Sequence, residues 1–297
     1  MDVSAGSVAA VIPAKDEAAR IAATVAATAA IPGVDLVVVV DDGSADATSE
    51  LARAAGAVVV RHPRNRGKAA AMTTGAGVVA LHDHALPAAT GRPRHLLFVD
   101  GDLEASAANL GVLVPPVTAG LADMSIAILP PQRTTGGGHG FVVRLARGGI
   151  LRLTGWRATQ PLSGMRCLTR PAFDRATPLA RGWGVEVGLT VDVLQAGLRI
   201  VEVPCELHHR VSGRGWRAQL HRGRQYRDVW LALAVRRLSG AALLRRVPLL
   251  HRVLGPDAGT HHAATPGAEA PGPEAPGAAA PGSEAPGPEA RDGRGRT

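Results

Sequence analysis

Two aspartates, Asp100 and Asp102, stand one residue apart at the end of the apolar run HLLFV. Gly101 lies between them and lets the chain bend, so both carboxylates can face one point. Two like charges this close need a counter-charge. The economical partner is a hard divalent cation, Mg²⁺ or Mn²⁺, which also takes phosphate oxygens as ligands. A surface turn uses the same three letters, so the surroundings decide between the two. Lys15 and Lys68 also stand out, as the only lysines in a chain whose 33 basic residues are otherwise arginine.

These residues need a rigid support, and the first 130 residues supply one by alternating short β-branched runs with alanine-rich stretches of helical length. The pattern predicts strands at 8–13, 35–41, 57–61 and 96–100. It predicts helices at 17–30, with Ile21 and Val25 on one face, at 68–81, and from Ser44 onward with Ser44 or Asp46 as the cap. The run DLVVVVD is continuously apolar, as in a parallel strand covered on both sides. The order βαβαβαβ makes this an α/β chain with a doubly wound, mostly parallel sheet. Ligands of such sheets bind at the carboxyl ends of the strands. PAKDE, DDGS, RNRGK and DGD all fall there.

Beyond residue 129 the glycine-rich PPQRTTGGGHG reads as a mobile loop, followed by a helix at 142–153 and a strand near 200–203. Tyr226, Val229, Trp230 and Leu233 recur at helical spacing. They open a basic, amphipathic helical segment at 226–254. In 255–297 the triplet APG repeats every five residues, a composition that cannot bury a core and reads as a disordered tail.

The formal charge is +8 over 297 residues, and it is concentrated: 199–252 hold twelve arginines and three acids. Such a region suits phosphorylated ligands or an anionic membrane surface. Aromatic content of 3% leaves few stacking platforms and argues against nucleic acid. Cys167 and Cys205 fit no metal or redox spacing and read as idle thiols in a reducing compartment. There is neither a signal-peptide pattern nor an apolar run of bilayer length. The expectation is therefore a cytoplasmic protein, with the basic segment as a possible contact to the inner membrane face.

VIPAKDE, VVDDGSADAT, GKAAAMTTGAG and FVDGDL, in this order, resemble the nucleotide-sugar-binding half of GT-A glycosyltransferases of the family 2 type. GGGHGFVVRL, QPLSGMRCLTR, GWGVEVGLTVD and ELHHR resemble the second half of glucosyl-3-phosphoglycerate synthases and their actinobacterial relatives. The resemblance implies a Rossmann-like GT-A domain over 1–225. In it Pro13, Ala14, Lys15 and Glu17 would hold the nucleoside, and Asp41 and Asp42 would meet the base. Lys68 would lie near the diphosphate, a task that suits a compact ammonium on a flexible stem. Asp100 and Gly101 would touch the ribose or the metal, with Asp102, Asp100 and His209 as the metal set. Gly164 and Thr169 would form the acceptor turn, and Glu186 would face sugar and acceptor. Catalysis would rest on Glu186, Asp102 and Lys68.

What the resemblance implies is a metal-dependent transfer of a sugar from a nucleotide-diphosphate sugar to a small anionic acceptor. Two other readings stay open. One is a polyprenyl-phosphate glycosyltransferase at the membrane surface, with a lipid-phosphate acceptor. The other is a non-catalytic nucleotide-sugar-binding protein. The basic segment could equally pack on the domain or form a homodimer. A nucleotidyltransferase would open with a GxGTR loop, where this chain has PAKDE.

Overall fold

In a computed structural model, the described residues are 7–85, 92–129, 139–207 and 223–238. They all belong to one compact unit, 1–251. The chain builds β1 (Val8–Ala14), α1 (Ile21–Ala29), β2 (Val34–Asp41), α2 (Thr48–Ala54), β3 (Val58–Arg61), α3 (Lys68–Ala85) and β4 (His95–Phe98). A 3-10 segment (Glu104–Leu113), α4 (Val114–Thr118), β5 (Met124–Ile128), α5 (His139–Thr154), β6 (Arg166–Leu168) and α6 (Arg170–Arg175) follow. Then come a 3-10 turn (Gly182–Gly184), α7 (Val185–Gln195) and β7 (Ile200–Pro204). The last described helix, α8, covers 223–238.

Seven strands form one sheet in the order β3-β2-β1-β4-β6-β5-β7. β3, β2, β1 and β4 run parallel, as do β5 and β7, while β6 is antiparallel to both its neighbours. The mostly parallel, doubly wound fold expected from the sequence is therefore present. After β3 the chain returns to the other side of β1 to lay down β4, so the strand order reverses between β1 and β4. That reversal opens a crevice at their carboxyl ends, where PAKDE and DGD follow.

Alternate residues of β1 supply two cores, as the two-residue strand period requires. Val8, Ala10 and Ile12 pack with Ile21 and Val25 of α1 and with Leu103, Leu110 and Leu113. Ala9 and Val11 pack with Met72 and Val79 of α3, Phe173 of α6 and Leu189 of α7. Each such aliphatic side chain contributes about 1.5–3 kcal/mol when fully buried. A third core joins Val142 and Ile150 of α5, Val187 and Val191 of α7, and Val229 and Leu233 of α8.

Several boundaries differ from the sequence reading. β4 ends at Phe98, so Asp100 sits in the turn beyond it. α2 begins at Thr48, whose amide donates to Asp46 Oδ1 at 3.1 Å, while Ser44 is used elsewhere. α8 divides the four residues that recur at helical spacing: Val229 and Leu233 are buried, Tyr226 and Trp230 exposed. The glycine-rich stretch at 130–138, the continuation 239–254 and the repeat at 255–297 lie outside the described residues.

Candidate active site

The turns after β1 and β2 lock together before they meet anything else. The Asp16 amide donates to Ser44 Oγ (2.9 Å), the Ala45 amide to Asp16 Oδ1 (2.7 Å) and the Ala18 amide to Asp46 Oδ2 (3.1 Å). Asp16 has φ +55°, a conformation Asp tolerates better than most residues. Lys15 Nζ pairs with Asp16 at 2.7 Å, and the Glu17 carboxylate takes Arg20 Nε at 2.9 Å. Pro13 and Ala14 close β1, and both lie against Gly101.

The two aspartates after β2 have separate duties. Asp41 is buried and accepts from the Ser44 amide and the Ser49 hydroxyl. Burial pushes its carboxyl up, but those hydrogen bonds and Arg61 outweigh burial and leave it below the ordinary carboxylate value. Asp42 accepts from the amides of Arg66 (2.8 Å) and Gly67 (2.7 Å), and pairs with His62 Nδ1 at 2.7 Å. It thus holds the turn that leads into α3. Gly43 lets the two turns touch: it has φ +76°, and a Cβ there would lie 2.7 Å from the backbone of Arg64.

α3 opens with Lys68, and the ammonium reaches the crevice. Its Nζ lies 2.7 Å from Asp100 Oδ1 and 3.2 Å from Glu186 Oε1. Burial lowers the ammonium pKa, but the two carboxylates win and hold it above the ordinary lysine value. Glu186, 7% exposed, sits in the first turn of α7, where the helix dipole favours an anion. Gly164 covers the pair from the turn before β6; a Cβ there would stand 2.5 Å from Lys68 Nζ and 3.3 Å from the Asp100 carboxylate. On the opposite side, Thr24 of α1 fastens the DGD turn by donating to Gly101 O (3.1 Å) and accepting from the Glu104 amide (2.9 Å).

The fold thus gathers Lys68, Asp100, Gly164 and Glu186, with Gly101 packed on Ala14 and Glu17. Asp102 is half-buried in the same turn as Asp100. His209 lies outside the described residues, and among the described residues no three His, Cys, Asp or Glu side chains are gathered to hold an ion. Thr169 does not join Gly164. β6 is antiparallel to β4, with Arg166 opposite Phe98 and Leu168 opposite Leu96, so the strand carries Thr169 to the far edge of the sheet. There its hydroxyl caps α6 by accepting from the Ala172 amide.

One residue not anticipated from the sequence is Arg166, 1% exposed, two positions beyond Gly164. Its Nε donates to Ser163 O (3.0 Å) and its Nη1 to Thr190 Oγ1 (2.9 Å) on α7. Among the described residues its Nη2, like Ser163 Oγ, has no hydrogen-bond partner. Burial pushes the guanidinium down to about 10, against the pull of Glu186 and Glu202. The available signal was an arginine inside the otherwise apolar MRCL.

Residues 9–139 match the family described as Glycosyl transferase family 2. Over these residues the chain carries a glycosyltransferase family 2 domain. The matched stretch covers the four strand-tip segments and Lys68, Asp100 and Asp102. This glycosyltransferase is 28% identical over 186 residues to Glycosyltransferase AglJ of Haloferax volcanii, an alignment covering 60% of this chain and 55% of that one. It is 29% identical over 178 residues to an uncharacterized protein of Methanocaldococcus jannaschii, covering 58% and 70%. Among solved structures it resembles glucosyl-3-phosphoglycerate synthase from Mycobacterium tuberculosis. The complex with phosphoglyceric acid gives a TM-score of 0.61 at 27% identity, covering 78% of this chain and 80% of that one. The complex with Mn²⁺, uridine-diphosphate and phosphoglyceric acid gives 0.61 at 26%, covering 78% and 79%. Among the described residues no helix is long and apolar enough to cross a membrane.

Proposed function

We propose that this glycosyltransferase moves a sugar from a nucleoside-diphosphate sugar to a small anionic acceptor, assisted by Mg²⁺ or Mn²⁺. The observation that carries the reading is the Lys68 ammonium set between Asp100 and Glu186 at the β1/β4 crevice. It is supported by the solved relative, whose complexes hold uridine-diphosphate-glucose, uridine-diphosphate, Mn²⁺ or Mg²⁺, and phosphoglyceric acid.

Asp100 and Asp102 are hard oxygen donors, which fits a Mg²⁺ or Mn²⁺ ion, and His209 would complete the set. The ion would supply charge neutralisation at the departing diphosphate. Lys68 adds a second positive charge from the protein side, directed at the same leaving group. The loop of Pro13, Ala14, Lys15 and Glu17, with Asp41 and Asp42, would bind the nucleoside. A carboxylate paired with an ammonium accepts hydrogen bonds and does not donate them, so Glu186 orients a hydroxyl of sugar or acceptor through that hydroxyl's proton. The anionic end of the acceptor would lie beside Gly164, where Lys68 and the buried Arg166 would supply positive charge and Ser163 a hydroxyl.

The test is a panel of nucleoside-diphosphate sugars with Mn²⁺, read as nucleoside diphosphate release without and with phosphorylated acceptors, both small and polyprenyl. Acceptor-stimulated release that is lost in Lys68→Met and Glu186→Gln supports the reading. Tight donor binding with no turnover on any acceptor overturns it in favour of a binding protein. Turnover on polyprenyl phosphate alone overturns the small acceptor.

A further inference from the structure

We infer that the outer face of α5 and α8 is a docking surface for a membrane rich in anionic phospholipid. This inference does not depend on which acceptor the enzyme uses.

Of the twelve exposed large apolar side chains among the described residues, seven lie on these two helices. Phe141 is 71% exposed, Trp230 52% and Leu238 72%, and Tyr226, Leu231 and Val235 are exposed on α8 as well. A helix that keeps one apolar face in the core through Val229 and Leu233, and still presents aromatic and aliphatic side chains outward, has more apolar surface than the domain covers.

The charge on this face is of one sign. Arg144 and Arg152 of α5 and Arg224, Arg227 and Arg237 of α8 are all exposed. α5 contains no acid, and the only acid on α8, Asp228, is largely buried and pairs with Arg227 at 3.0 Å. Arg144 lies over the ring of Phe141, 4.5 Å from its centroid, so charge and aromatic surface are presented together. Between the helices runs a groove of about 680 Å³, with Leu145, Leu153 and Ala234 among its walls and Arg152 and Arg237 at hand. That arrangement offers apolar surface to an acyl chain and guanidinium groups to a lipid phosphate.

Charge decides which occupant fits. A second copy meeting this face across a two-fold axis would set the same five arginines against themselves, with no exposed acid on α5 or α8 to pair with them. An anionic bilayer satisfies both features: Tyr and Trp settle at the headgroup level, the aliphatic side chains insert, and arginine meets phosphate.

The experiment is co-sedimentation of the full chain with vesicles of phosphatidylglycerol and phosphatidylcholine, compared with phosphatidylcholine alone, at low and high salt. Two variants accompany the wild type: Trp230→Ser with Leu238→Ser, and Arg227→Glu with Arg237→Glu. Circular dichroism and light scattering verify their fold and oligomeric state. The expected result is binding to the anionic vesicles that weakens with salt and falls at least tenfold in each variant, since one arginine at such a surface is worth about a fivefold change in partitioning. Three outcomes overturn the proposal. The first is no binding to anionic vesicles. The second is binding that survives both substitutions. The third is a wild-type dimer that Trp230→Ser with Leu238→Ser converts to monomer, which would make the face an interface between copies.

Discussion

Lys68 Nζ lies 3.2 Å from Glu186 Oε1, joining the first residue of α3 to the first turn of α7. With Asp100 at 2.7 Å, the ammonium balances two carboxylates, and three distant segments meet at this point. Replacing it leaves both acids without that charge. Lys68→Met is expected to lower kcat by about 10²- to 10³-fold, the range found when one preorganised stabilising group is lost. Steady-state kinetics at saturating donor checks it; a change under threefold would remove Lys68 from the machinery.

The close cover over this pair has its own consequence. A Cβ at 164 would sit 2.5 Å from Lys68 Nζ, the free end of a flexible side chain, so the ammonium is displaced while the backbone stays. Gly164→Ala should reduce turnover at least tenfold and shift Tm by no more than about 2 °C, as expected where folding energy changes little. Paired kinetics and thermal melts read both. A large drop in Tm would mean that the turn itself had moved.

Gly43 behaves oppositely, because what it touches is main chain. Its φ of +76° and the 2.7 Å approach to Arg64 leave a side chain nowhere to go. Gly43→Ala is expected to cost about 1–3 kcal/mol, measured by denaturant unfolding of the whole chain.

Thr169 separates a structural from a functional role. As the cap of α6 it should cost about 0.5–2 kcal/mol on change to Ala. The acceptor KM should stay within twofold. A tenfold rise in acceptor KM would return Thr169 to the acceptor turn.

Asp41 sets an acid limit. Its folded pKa is depressed, so the bound proton favours the unfolded chain. The stabilisation is present above the unfolded value near 3.8 and is lost as pH falls through the lower folded value. The stability gap between wild type and Asp41→Asn should therefore be constant at neutral pH and begin to close below about pH 4. Urea unfolding across pH 3–7 measures it, and a gap that widens on acidification would contradict the sign.

The crevice was legible in the sequence because a parallel α/β pattern leaves little choice. Continuous apolar strands such as DLVVVVD must be covered on both faces, and their connections put PAKDE, DDGS and DGD at one edge. The return path was not legible. QPLSGMRCLTR reads as one motif, yet its core is the three-residue antiparallel β6, which keeps Gly164 over Lys68 and sends Thr169 to the opposite edge. The role of Arg166 was not legible either, because a buried guanidinium is tolerable only through Ser163 O and Thr190, and those partners exist only after folding.

Local order along the chain determined the sheet, the helices on its two sides and the edge where ligands gather, since hydrophobic period and turn chemistry act over a few residues. Tertiary structure alone decided which charges meet. Lys68, Asp100 and Glu186 carry no mark of one another in the sequence. An ion pair depends on a separation of about 3 Å, and that distance is set only when α3, the turn after β4 and α7 pack around the crevice.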